Sequence, residues 1–182
     1  MKRKFEADTS SIETQNVSLE KINDGDAAEV RRLRKLANNR TLAKSLADND
    51  KYFPALMGLF NRLIDDNLSQ KPLLNDVLST LANCCFVSIT ACLEISRPHH
   101  KISTNSIRLL ENNGSTIEMK TCVLRLLGNL CVHKESALTI VNNPRLLDCV
   151  MQKICDKEEL VATAAFRVIK LCVKSSFMKV NQ

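Results

Sequence analysis

The chain has 182 residues, 45% of them apolar, with four Gly, four Pro, one Tyr and no Trp. That length suits one domain that buries roughly two thirds of its unfolded surface. So few turn-formers and aromatics exclude a β-sandwich or barrel and favour helices. The net charge of +6, spread along the chain, favours solubility and acidic partners but is too mild to demand nucleic acid.

Residues 1–26 are polar and lack a sustained apolar period, so they read as a largely disordered tail. Within it Met1, Lys2, Arg3 and Lys4 form either a minimal basic nuclear signal or an ordinary solvated terminus. From Ala27 almost everything reads as helix. Residues 27–38 carry Val30, Leu33, Leu36 and Ala37 at helical spacing, with Arg31, Arg32, Arg34 and Lys35 between them. A short helix is expected over about 41–47, and a second begins near Asp50 with Phe53, Leu56, Met57, Phe60 and Leu63. A third runs over 71–87. The plan short, medium, long then recurs over 88–95, 101–111 and 116–132, and again over 135–141, 144–155 and 158–174.

Punctuation supports these boundaries. Pro54, Pro72, Pro98 and Pro144 fall at or just before expected helix starts, where the missing N–H costs least. Asn113-Gly114 breaks the chain. Ser115 and Glu118 have capping-box spacing, with Ser115 as the acceptor and Glu118 reaching back.

A six-residue pattern, L-x-x-L-[Ala/Gly]-Asn, occurs at 33–38 (LRKLAN), 78–83 (LSTLAN) and 124–129 (LRLLGN). A degenerate copy follows at 165–170 (AFRVIK). The starts lie 45, 46 and 41 residues apart, a period typical of helical-repeat solenoids that bury their cores by stacking. The leucines read as packing positions. Gly128, aligned with Ala37 and Ala82, reads as a point of close helix contact, because mid-helix Gly otherwise costs about 1 kcal/mol against Ala. A binding scaffold follows more naturally from this pattern than an enzyme does.

The units resemble armadillo repeats over about residues 28–175. The best match is 39–85, where KYFPALMGLFNRL looks like a second helix with its proline-marked entry and LLNDVLSTLANCC like a third helix containing Leu-x-x-Leu-x-Asn. The sequence departs from the family where no Gly precedes Lys51, where the middle unit weakens around 97–101, and where Lys170 replaces the last Asn. The resemblance implies an all-α, right-handed α-solenoid of about three units plus a leading helix, with a repeat domain over 27–176 and a short tail over 177–182. It also implies a concave groove lined by third helices, whose Asn amides bond the main chain of an extended peptide, since an amide carries both donor and acceptor. Carried over, those residues are Asn38, Asn83 and Asn129, with Lys170 at the fourth position. Arg34 and Arg125 precede two of them and would add selectivity for acidic residues. The alternative for Asn38 is a helix end, for Asn83 and Asn129 bonding to backbone within the stack, and for the two arginines a solvated surface.

Other chemistry is weak. His99-His100 follows Pro98 with no Cys at finger spacing, and zinc needs about four converging ligands. Cys131 and His133, two apart on a helix, diverge. Asp65-Asp66 and Glu158-Glu159 diverge likewise and read as a loop and a helix N-terminal turn. No Gly-rich phosphate loop occurs, so neither catalysis nor a cofactor is expected. Eight cysteines, none in C-x-x-C, with no secretory segment, read as reduced core thiols of a cytoplasmic or nuclear protein. Two alternatives to a peptide-binding adaptor remain. One is phosphate contact by Arg31, Arg32, Arg34, Lys35, Arg40 and Lys44, without stacking aromatics. The other is homo- or hetero-association through an uncapped apolar solenoid end built from 160–173, Phe177, Met178 and Val180.

Overall fold

Helix starts are set locally by side-chain caps. Ser18, Asp26, Asn39, Ser88, Thr116 and Asn143 each accept a backbone N–H in the first turn of the helix that follows, which satisfies donors that have no partner within the helix. In the computed structural model, which describes residues 12–177, these caps open six of eleven helices, and no strand occurs among the described residues. In chain order the helices are α1 (Leu19–Asp24), α2 (Ala27–Leu36), α3 (Arg40–Ala47), α4 (Tyr52–Asp65), α5 (Lys71–Val87), α6 (Ile89–Ile95), α7 (Ile102–Glu111), α8 (Ile117–Leu130), α9 (Lys134–Val141), α10 (Pro144–Gln152) and α11 (Glu159–Phe177). Short 3-10 turns occupy Ile12–Gln15, Pro98–His100 and Lys153–Cys155.

Two expected details shift. The cap of α8 is Thr116, whose hydroxyl accepts from the Met119 N–H at 3.2 Å, and the Ser115 hydroxyl is buried without a hydrogen-bond partner. The segment expected as one helix over 144–155 tightens into a 3-10 turn after Gln152.

The long helices stack in sequence. α5 packs along α8 and α8 along α11, while α2 and α3 close the other side of α5. Their contact is apolar and continuous: Leu33, Leu74, Leu78, Leu81, Leu124, Leu127, Val161, Ala165 and Val168 are all fully or almost fully buried. The shorter helices form a second layer, with α4 on α5, α7 on α8, and α10 on both α7 and α11.

Residues 12–26, expected as tail, are instead part of the fold. α1 packs on α4, and Ile12, Val17 and Ile22 are buried. Gly25 terminates α1 at φ 77°, a left-handed conformation favourable to Gly. The Tyr52 hydroxyl donates to the Val17 carbonyl at 2.7 Å, the Ile12 N–H donates to Ser45 Oγ at 2.9 Å, and the Ser18 N–H donates to Glu29 Oε1 at 2.8 Å. Arg62 reaches the Asn23 carbonyl. The leading element is therefore a helix pair rather than a single helix. Its apolar residues are five apart and give no local period; they are buried only because α3 and α4 supply the other half of the contact. The basic Met1–Lys4 stretch and the terminal Met178 and Val180 lie outside the described residues, as does the side chain of Phe177.

Seven cysteines are buried and Cys155 is exposed. Burial raises the thiol pKa of Cys84, Cys122 and Cys149, as expected for core thiols. Cys131 and Cys172 lie Sγ to Sγ at 3.3 Å across α8 and α11; that shared hydrogen bond, then burial, raises Cys131. No helix among the described residues is long and apolar enough to cross a membrane.

Candidate functional site

The repeated asparagines lie at the C-terminal ends of α2, α5 and α8, and stacking brings those ends together. The result is a groove of about 400 Å³ lined by Asn38, Asn83, Phe86, Arg125 and Asn129, with Ala37, Arg40, Ala43, Val87 and Arg167. Four of the six residues picked out from the sequence meet here; Arg34 and Lys170 are not among the lining residues.

Asn129 is the most enclosed, at 4% exposure. Its Nδ2 donates to the Ala82 carbonyl at 2.8 Å, and its Oδ1 accepts from Arg167 Nη2 at 2.9 Å. Both ends of the amide are thus engaged within the stack, which matches the alternative reading of backbone bonding between units. Asn83 is half-buried. Its Nδ2 donates to Asn38 Oδ1 at 3.2 Å and its Oδ1 accepts from Arg125 Nη2 at 3.0 Å. Asn38 is exposed and follows the end of α2, while its neighbour Asn39 caps α3. Each asparagine therefore links its own unit to an adjacent one.

The arginines divide unexpectedly. Arg34 and Arg125 hold the same place in the repeat but have different partners. Arg34 Nη1 meets Asp76 Oδ1 at 2.5 Å, and Arg31 Nε lies 3.5 Å from Asp76 Oδ2. Asp76 is buried, and the two guanidiniums supply the compensation that a buried carboxylate requires. The residue one unit beyond Arg125 that matches Asp76 is Thr163 on α11, so Arg125 has no carboxylate in the equivalent place and instead donates back to the Asn83 amide on α5. The sequence signal for Asp76 is one acid inside the apolar run LLNDVLSTL.

Arg167 was also missed. It occupies the third place of the degenerate repeat, whereas Lys170, the residue at the aligned sixth place, is exposed one turn further along α11. A Cβ at Gly128 would lie 3.4 Å from Nη1 and 3.6 Å from Cζ of Arg167 and 3.8 Å from Val168 Cγ2, all ordinary van der Waals distances. The space at Gly128 therefore admits an alanine methyl, like the aligned Ala37 and Ala82, and close helix contact does not by itself require glycine there. Arg40 lies over the ring of Phe86, with Cζ 5.1 Å from the centroid, and Phe86 is 55% exposed.

Of the basic group that phosphate contact would use, Arg31 and Arg34 share the single carboxylate of Asp76, which offsets one of their two charges. Arg32 lies 3.6 Å from Glu29 Oε1 and donates to the carbonyls of Gln15 and Asn16. This leaves less free positive charge on α2 than the sequence implied.

Glu94, His99 and His100 bring three metal-ligand atoms within 4.8 Å of one another, a convergence not foreseen from the His pair alone. Glu94 Oε1 is hydrogen-bonded to His100 Nε2 at 3.1 Å, and Oε2 forms an ion pair with Arg97 Nε at 3.0 Å. Both oxygens are engaged, and the adjacent guanidinium opposes a cation at that point.

Scanned against family models, curated proteins and solved structures, the chain has no significant match in any of them.

Proposed function

We propose that this protein is a non-enzymatic scaffold that holds an extended segment of a protein partner in the groove at the C-terminal ends of α2, α5 and α8. On this reading the stacked helices form a right-handed, armadillo-like α-solenoid of three units plus the leading pair α1–α2. The observation that carries the proposal is the convergence, in one open groove, of the repeated Asn38 and Asn83, the exposed Phe86 and the guanidiniums of Arg125 and Arg167. An exposed aromatic beside fixed polar groups is the usual chemistry of peptide recognition, where pockets choose side chains and amides engage the backbone.

A peptide-display selection against the full chain tests the proposal. Selected peptides should lose most of their binding to Phe86→Ala and to Asn83→Ala, and retain it on Met151→Ala, a remote exposed site. Failure to enrich any peptide, or equal binding to all three variants, refutes the groove reading.

A second reading rests on α11, where Leu160, Phe166 and Val173 are 68%, 60% and 48% exposed at the outer end of the stack. Such a surface favours association of two chains. Light scattering over a concentration series tests it: a mass that rises toward a dimer and returns to the monomer in Phe166→Glu supports association, and a constant monomer mass excludes the homodimer.

A further inference from the structure

The groove gathers guanidiniums that have no carboxylate partner. Among the described residues, six of the ten arginines, Arg31, Arg32, Arg34, Arg97, Arg108 and Arg145, have a carboxylate within 4.0 Å. Of the other four, Arg40, Arg125 and Arg167 all line this groove. Their partners are neutral: the Asn83 amide, the Asn129 amide and the Phe86 ring. A guanidinium has five N–H donors, so the single amide bond made by Arg125 or by Arg167 uses a small part of its capacity. The bond also holds the side chain in position, which lowers the entropic cost of engaging an anion.

We infer that the groove selects an acidic segment whose carboxylates are three residues apart, one for Arg125 and one for Arg167. This rests on the peptide-groove reading above and names its ligand class. The spacing follows from packing. α8 and α11 lie side by side, and packed helix axes are about 8–10 Å apart. A polyproline II segment rises about 3.1 Å per residue with three residues per turn, so residues i and i+3 share a face about 9 Å apart. A β-strand places i and i+2 on one face at about 6.6 Å, which is too short. Phe86 would take an apolar side chain beside the acidic pair. A nucleic acid is the weaker fit, because Phe86 is the one aromatic lining the groove and no lysine lines it, whereas sequence-tolerant strand binding uses successive stacking platforms.

Fluorescence polarisation with the full chain and labelled twelve-residue peptides decides the matter. A Glu-x-x-Glu peptide should bind at least about tenfold tighter than its Gln-x-x-Gln counterpart and than a Glu-x-Glu peptide of equal charge. Because the peptide is varied, protein folding is untouched in this comparison. Arg125→Gln and Arg125→Lys should each reduce the preference for Glu over Gln, the Lys variant too because an ammonium cannot offer the planar fork. Equal binding of the Glu and Gln peptides overturns the acidic reading and leaves the groove reading standing. Binding of neither Glu, Gln nor display-selected peptides overturns both. A single-stranded oligonucleotide that binds more tightly than the Glu-x-x-Glu peptide also overturns the inference.

Discussion

Asparagine 129 offers the sharpest test of how the units are joined. Asn129→Ala removes the 2.8 Å bond to the Ala82 carbonyl and the 2.9 Å bond from Arg167 at a site 4% exposed. A neutral buried bond contributes about 1 kcal/mol and one from a charged donor about 1.5–3 kcal/mol. Arg167 is exposed, and water replaces much of what its donor loses, so the second contribution belongs at or below the low end of that range. The expected cost is about 2 kcal/mol, or roughly 4–8 °C in Tm for a domain of this size. Asn83→Ala, at a half-buried position, should cost less than about 1 kcal/mol. Urea unfolding followed by far-UV circular dichroism measures both. An Asn129→Ala loss within about 0.5 kcal/mol of wild type, the range of ordinary surface substitutions, or a larger loss for Asn83→Ala, refutes the claim that Asn129 joins α5, α8 and α11. A double-mutant cycle with Arg167→Gln should return a coupling of about 0.5–3 kcal/mol.

Three further outcomes are expected. Ile22→Ala should destabilise the fold by about 2–4 kcal/mol, because Ile22 is wholly buried between α1 and its neighbours; a near-zero effect in urea unfolding would show that α1 does not pack. In the folded protein a thiol reagent should modify Cys155 first and alone, with the seven buried cysteines reacting only after denaturation; intact mass gives the count, and a second thiol modified at the same rate contradicts their burial. Glu118 at the start of α8 is held below its ordinary value of 4.5 by bonds from its own backbone N–H and the Thr116 hydroxyl, helped by the helix N-terminus. A depressed carboxylate contributes stability that is fully present above about pH 4.5 and lost as pH falls through the lower folded value. Stability of Glu118→Gln should therefore fall less steeply in acid than wild type, and parallel curves would contradict the assignment.

The groove combines residues that were easy to find with others that were not. Asn38, Asn83, Asn129 and Arg125 stand in a repeated pattern, and stacking places them together. Arg167 and Phe86 sit at positions that the repeat does not share, so nothing periodic marks them. Arg34 shows the converse: its place in the repeat equals that of Arg125, yet Asp76 on the neighbouring helix claims it.

What the sequence by itself determined was the helical class, nearly every helix boundary from Ala27 onward and the spacing of the repeated L-x-x-L-[Ala/Gly]-Asn pattern. Caps, prolines and apolar periods act within one or two turns, so they can be read along the chain. Tertiary structure alone decided that residues 12–26 belong to the fold, that Asn129 is engaged inside the stack, and which arginines remain without a carboxylate. Those outcomes depend on partners 33 to 47 residues away, such as Ser45 for Ile12 and Ala82 for Asn129, and stacking selects the partner by geometry that no local pattern encodes.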